Sequence, residues 1–174
     1  MIAKLLPLHS GTISLDNIEI NNMPREKLFK VVSYVGQFSK FIPGTVLQNI
    51  CLNNDTINDE KLKNVLSISC FNEVVNSLTK GLDTYINSEG QPLSSGEQQI
   101  LCLARALYSD RTFLVLDEAL SAVDIEKEKS IFSYLKNYSN DGKCIIIITH
   151  NITNLQLCDE ILLLERDFNS KWKS

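Results

Sequence analysis

The stretch from Pro92 to Glu118 limits the possible folds more than any other. It reads Pro92-Leu93-Ser94-Ser95-Gly96-Glu97-Gln98-Gln99, then an apolar helical pattern, then Thr112-Phe113-Leu114-Val115-Leu116-Asp117-Glu118. A polar segment ending at Ser-Gly, a helix, and a buried strand closing on two carboxylates make an α/β unit. Ile100, Leu103, Ala104 and Leu107 recur at helical intervals and predict a helix over 94–108. A second helix is predicted over 124–138, with Ile131, Leu135 and Tyr138 on one face. Cys144 to Thr149 reads as a parallel strand covered on both faces. Lys30 to Val35 reads as a strand broken by Gly36, and Ile161 to Leu164 as a final short strand. Gly44 opens a helix running to Ile50. Segments 59–67 and 72–78 have helical spacing, with apolar positions too sparse for a deep core. They suggest a partly separate helical lobe over roughly 45–108. The expected fold is therefore α/β, a mostly parallel sheet with flanking helices plus a small helical subdomain, in one domain over 1–174.

Length and charge narrow the function classes. A chain of 174 residues fits one domain and can bury on the order of 70% of its unfolded surface. Its net charge of −4 gives no sign of an electrostatic nucleic-acid binder, which shows a basic patch or stripe. The five cysteines show no C-x-x-C pair, and their odd count argues against a disulfide framework. Cys102 and Cys144 lie in apolar patterns and are expected to be core thiols. The N-terminus lacks the basic region and cleavage site of a signal peptide. No apolar run approaches the roughly 20 residues of a membrane helix.

Three places carry candidate chemistry. Ser94-Ser95-Gly96-Glu97 is a capping box, Ser-x-x-Glu before an apolar helix. A helix N-terminus also offers free N–H groups and partial positive charge to an anion, and Gly96 would let a phosphate come close. Capping and anion binding are compatible. Asp117-Glu118 closes an apolar strand, where ligands bind in parallel sheets, although an ordinary acidic strand end reads the same way. His150 closes another strand and should fall on the same sheet edge. A lone histidine there also serves as a structural hydrogen-bonder. His9, beside Ser10-Gly11, is expected at the surface.

In this order the segments resemble the ATP-binding cassette (ABC) ATPases, from Ile2 to about Glu165. Leu93-Ser94-Ser95-Gly96-Glu97 resembles the LSGGQ signature, with Ser95 for the usual first glycine. Leu114-Val115-Leu116-Asp117-Glu118 resembles Walker B, and Ser121-Ala122-Val123-Asp124 the D-loop. Gln37 matches the Q-loop glutamine and His150 the switch histidine. Gly44-Thr45-Val46-Leu47-Gln48-Asn49-Ile50 resembles an exporter-type stretch, and Thr84 to Gly90 a segment that touches membrane-domain helices.

The resemblance implies ATP and Mg²⁺ as cofactors, with Asp117 and Gln37 as metal ligands. Glu118 would be the general base, and His150 would place the attacking water. Ser94, Ser95, Gly96, Glu97 and Asp124 would face a nucleotide held by a second cassette in a head-to-tail dimer. It also implies a transmembrane-domain partner, a place on the cytoplasmic side of the membrane and no nucleic acid.

One expected motif is absent from the sequence. A P-loop, G-x-x-x-x-G-K-[ST], gathers backbone N–H groups and a lysine around phosphate. Of seven glycines only Gly142 precedes a lysine, and Asn137 and Cys144 break the pattern around it. Met1 to Leu8 resembles the back half of the helix that follows this loop, and Ser10 to Asp16 the strand after it. The chain is thus expected to begin just downstream of the loop, and to be inactive as an ATPase alone. The alternative is a non-catalytic subunit that lends its signature segment to a partner.

Overall fold

The computed structural model describes residues 8–15, 17–38, 40–52, 56–139, 142–163, 165–166 and 172–173. Asp16, and all but Leu8 of the helix expected over residues 1–8, lie outside this set. The short strands β1 (Ser14–Leu15) and β2 (Ile18–Glu19) form an antiparallel hairpin. Helix α1 (Arg25–Val31) follows Pro24 and runs directly into β3 (Val32–Val35). The strand expected from Lys30 is therefore shorter. Leu28, fully buried, anchors the helix through Val31, and the strand begins where Val32 can pair with Phe113.

Gly44 does not open a helix. It lies in β4 (Gly44–Thr45), and α2 (Val46–Ile50) starts one residue later. Thr45 caps α2 reciprocally with Gln48. Helices α3 (Asp59–Ile68) and α4 (Asn72–Ser77) follow, and then β5 (Tyr85–Ile86), which pairs antiparallel with β4. The long helix α5 (Ser95–Ser109), strand β6 (Phe113–Asp117), helix α6 (Ile125–Ser139) and strand β7 (Cys144–Ile148) complete the central unit. The pair β8 (Glu165–Arg166) and β9 (Trp172–Lys173) is antiparallel.

The central sheet has the order β3–β6–β7, with both pairings parallel. Strand β6 is the middle strand and is covered on both faces, as its alternation requires. Leu114 and Leu116 enter the large core, whereas Val115 joins a smaller cluster with Ile20, Leu28 and Val32.

Four expectations are corrected. The segments judged too sparse for a deep core bury Leu62, Val65, Leu66 and Val74 in the same cluster as Leu114 and Ile131. A few well-placed apolar residues suffice there, because each fully buried one contributes about 1.5–3 kcal/mol. Strand β7 is not covered on both faces: Cys144 is exposed and Ile148 is 48% exposed. It is the edge of the described sheet, so Cys144 is no core thiol, while Cys102 is. Residues 161–163 form no strand and are exposed. Apolar composition alone does not make a strand where no neighbour pairs with it; Leu164 lies outside the described residues.

Among the described residues no helix is long and apolar enough to cross a membrane.

Candidate nucleotide-facing edge

Parallel register brings three strand ends together. Val35 is opposite Leu116, and Asp117 is opposite Ile148. Gln37, Asp117, Glu118 and His150 therefore emerge at one edge of the sheet. Glu118 leaves β6 in a left-handed conformation, φ 50, which costs a non-glycine residue on the order of 1–2 kcal/mol. Its N–H donates to the Ile148 carbonyl at 2.9 Å. Its Oε1 accepts the His150 N–H at 3.0 Å and lies 2.7 Å from His150 Nδ1. A proton on Nδ1 makes that second contact a donor bond to the carboxylate. The His150 ring is otherwise 84% exposed, whereas Glu118 is mostly buried. Asp117 Oδ2 accepts the Tyr34 hydroxyl at 2.8 Å. Burial raises the Tyr34 phenol pKa, and the Asp117 bond and charge raise it further. A cleft of about 390 Å³ opens beside this edge, lined by Glu118, Ser121, Glu128, His150 and Asn151 among others.

The start of α5 is built separately. Ser94 is the N-cap. Its backbone N–H and its hydroxyl both donate to Glu97 Oε2 at 2.8 Å, and Glu97 N–H returns to Ser94 Oγ at 3.4 Å. Ser95 is exposed. The space that a side chain at Gly96 would need is taken by protein: an added Cβ would lie 2.6 Å from the Ala122 carbonyl oxygen. Close approach of the 121–123 turn is thus one reason for glycine here. Asp124 caps α6, its Oδ1 accepting the Lys127 N–H at 2.9 Å.

The sequence-derived set thus falls into two groups. Asp117, Glu118, His150 and the exposed Gln37 share one sheet edge. Ser94, Ser95, Gly96 and Glu97 open α5, and Asp124 opens α6. Among the described hydrogen bonds none joins Ser94 to Glu118.

Three further residues shape the site. Tyr34 holds Asp117. Gln99, 5% exposed, bonds to both Gln37 and the 121–122 turn. Arg105 donates to the carbonyls of Asn49 and Lys40 and to Asn49 Oδ1, each at 2.8 Å. Asn49, itself buried, bonds both backbone groups of Ile42, so Arg105 fixes the loop after Gln37. The only sequence signal for Gln99 and Arg105 is polarity inside a helix whose other residues are mostly apolar.

The residues present fit a hard cation in part. Asp117 and Gln37 offer oxygen donors at adjacent strand ends, which suits Mg²⁺. Among the described residues no cluster of three His, Cys, Asp or Glu side chains could hold a metal without a further ligand. The sequence contains no P-loop cradle for ATP phosphates.

A parallel central sheet carrying acidic and histidine strand ends at one edge defines an α/β class with its candidate site at the strand ends. A family model described as ABC transporter matches residues 1–121. The chain is 31% identical over 166 residues to the ATP-dependent lipid A-core flippase of Pectobacterium atrosepticum, covering 95% of this chain and 28% of that one. It is 30% identical over 163 residues to a type I secretion system ATP-binding protein of Rhizobium meliloti, covering 94% and 28%. A solved bacterial Atm1-family ABC exporter with ATP bound superposes with a TM-score of 0.80 at 24% identity, over 88% of this chain and 27% of that one. The chain belongs to the ABC transporter family, in its ATP-binding part and of exporter type. It has the P-loop-NTPase-like fold of that family. It spans about a quarter of the length of these relatives.

Proposed function

We propose that this chain forms the hydrolytic edge of an exporter's ATP-binding domain, coupling ATP hydrolysis to transport across a membrane. The observation that carries the reading is the fixed pair Glu118–His150 at the end of β6, beside Asp117. His150 occupies Glu118 Oε1 through two contacts and so leaves Oε2 to take the proton of the attacking water. Asp117 and Gln37 are the metal ligands of this reading. Mg²⁺, when bound, neutralises charge on the transferring phosphoryl group. His150 orients the base. Ser94, Ser95, Gly96, Glu97 and Asp124 face a nucleotide held by a second cassette, in a head-to-tail dimer.

A transmembrane domain is the other partner, which puts the chain on the cytoplasmic side of the membrane. Residues 45–108 form its helical subdomain, and Phe38, Ile42 and Tyr85, all exposed, are candidate contacts.

The test supplies the cradle. A P-loop-bearing segment of a relative is joined ahead of the chain, and phosphate release is measured with Mg·ATP. The joined protein is expected to turn over, the chain alone to stay at background, and Glu118→Gln to slow the joined protein about 10²–10⁴-fold. Full activity in Glu118→Gln would overturn the assignment. The separately built start of α5 favours one second reading, a subunit that only lends that start to a partner. In that case the joined protein stays silent.

A further inference from the structure

Gln99 sits at a crossing that the proposed chemistry does not use. Its side chain is buried to 5% exposure in the first turns of α5. Oε1 accepts the Ala122 N–H at 2.8 Å. Nε2 donates to Ser121 Oγ at 3.2 Å and to the Gln37 carbonyl at 3.4 Å. Three segments meet on one amide: the start of α5, the turn after Glu118, and the loop after β3. The neighbouring Gln98 reaches the other way, to the carbonyls of Glu89 and Leu93.

The chemistry demands an amide here. One end must accept from a backbone N–H while the other donates to a carbonyl and a hydroxyl. A carboxylate supplies only the first and an apolar chain neither, and a buried group left unpaired is costly. Two further observations show that the turn is drawn onto α5 and connected to Glu118. Gly96 leaves room for the Ala122 carbonyl. Ser121 N–H donates to the Glu118 carbonyl at 3.3 Å, and Val123 N–H to the Leu120 carbonyl at 3.0 Å, so the turn is a short chain of bonds that starts at Glu118.

We propose that Gln99 is a positioning residue that locks the Gln37 loop and the Glu118 turn to α5, so that the two strand ends move as one unit. Its use in hydrolysis rests on the reading of Gln37 and Glu118 as nucleotide-facing groups. The coupling itself is a property of the nucleotide-free chain.

The test therefore uses the full chain without nucleotide, and its outcome is independent of whether ATP binds. Backbone ¹⁵N order parameters are measured at Gln37, Phe38, Ser121 and Ala122 in the wild type, Gln99→Met and Gln99→Glu. The wild type is expected to be rigid at all four. Gln99→Met should lower both segments together, below about 0.6, while Val35 and Leu116 in the paired strands stay unchanged. Gln99→Glu keeps an acceptor for Ala122 but loses the donors, so Ala122 should stay rigid while Phe38 loosens. A space-filling role would not split the two. If Gln99→Met leaves Phe38 as rigid as before, or Gln99→Glu loosens both segments equally, the proposal is wrong.

Should neither variant fold, the wild type decides. The Gln99 side-chain amide protons are expected to exchange with solvent at least about tenfold more slowly than those of exposed Gln91, as for a hydrogen-bonded, buried group. Equal rates would overturn the proposal.

Discussion

Asp117 and Tyr34 constrain each other before any ligand arrives. The phenol is partly buried and donates to the carboxylate, so the folded state favours the neutral tyrosine. Its pKa lies above the ordinary 10.0. The stability it contributes is whole below that value and is lost as pH rises through the folded pKa. An absorbance titration, taken as the difference between the wild type and Tyr34→Phe, should show one tyrosine ionising late. Asp117→Asn should bring that step down without abolishing the shift, because burial is the larger cause. An unshifted Tyr34 in the wild type would mean the bond does not persist in solution. Glu97 illustrates the same economy of contacts. Its carboxylate holds the two Ser94 donors that an incoming anion would otherwise meet.

The elements are held to one another by features that spacing alone does not reveal. The first turn of α5 packs on the 121–123 turn through the gap at Gly96. Gly96→Ala would put a methyl 2.6 Å from the Ala122 carbonyl oxygen. We expect a loss of about 1–3 kcal/mol in urea unfolding, the usual cost of overpacking against backbone. At the other end of α5, Asp110 takes a left-handed conformation, φ 55, as its C-cap. Lys143 reaches it at 2.8 Å and Tyr138 at 3.2 Å, tying α5 to α6 and to the start of β7. The Lys143 bond, chiefly, lowers the Asp110 pKa below 3.8. That contribution is present above 3.8 and fades as pH falls through the folded value. The urea midpoint should therefore drop in that acid window. Lys143→Met should flatten the drop, and added salt should shrink it, since the pair is partly exposed.

Helices 94–108 and 124–138 and strand β6 were legible because period and capping agree there. The strand from Lys30 was not, because Val31 and Val32 suit either state and the pairing with Phe113 decides. Ile161, Leu162 and Leu163 read as a strand, yet what makes a strand is a neighbour. The edge grouping of Asp117, Glu118 and His150 could be read from strand ends. The Gln99 and Arg105 bonds could not, since most of their partners are backbone groups that no residue pattern announces.

At the scale of the molecule, the proposed dimer rests on two groups of site residues that stand apart. The hydrolytic edge carries Asp117, Glu118 and His150, whereas the Ser94 and Glu97 side chains at the opening of α5 bond to each other and, among the described residues, to none of those three. A single site that used both would have them meet across an interface, where water no longer screens a phosphate from helix N–H groups. Light scattering on the P-loop-joined chain with Mg·ATP tests this most directly. Glu118→Gln should give a lasting dimer, because it blocks hydrolysis with nucleotide in place. Adding Ser94→Arg, which fills the phosphate position with a bulky side chain, should return it to monomer. A double variant that dimerises as well as Glu118→Gln alone would contradict the account and leave Ser94 as a helix cap only.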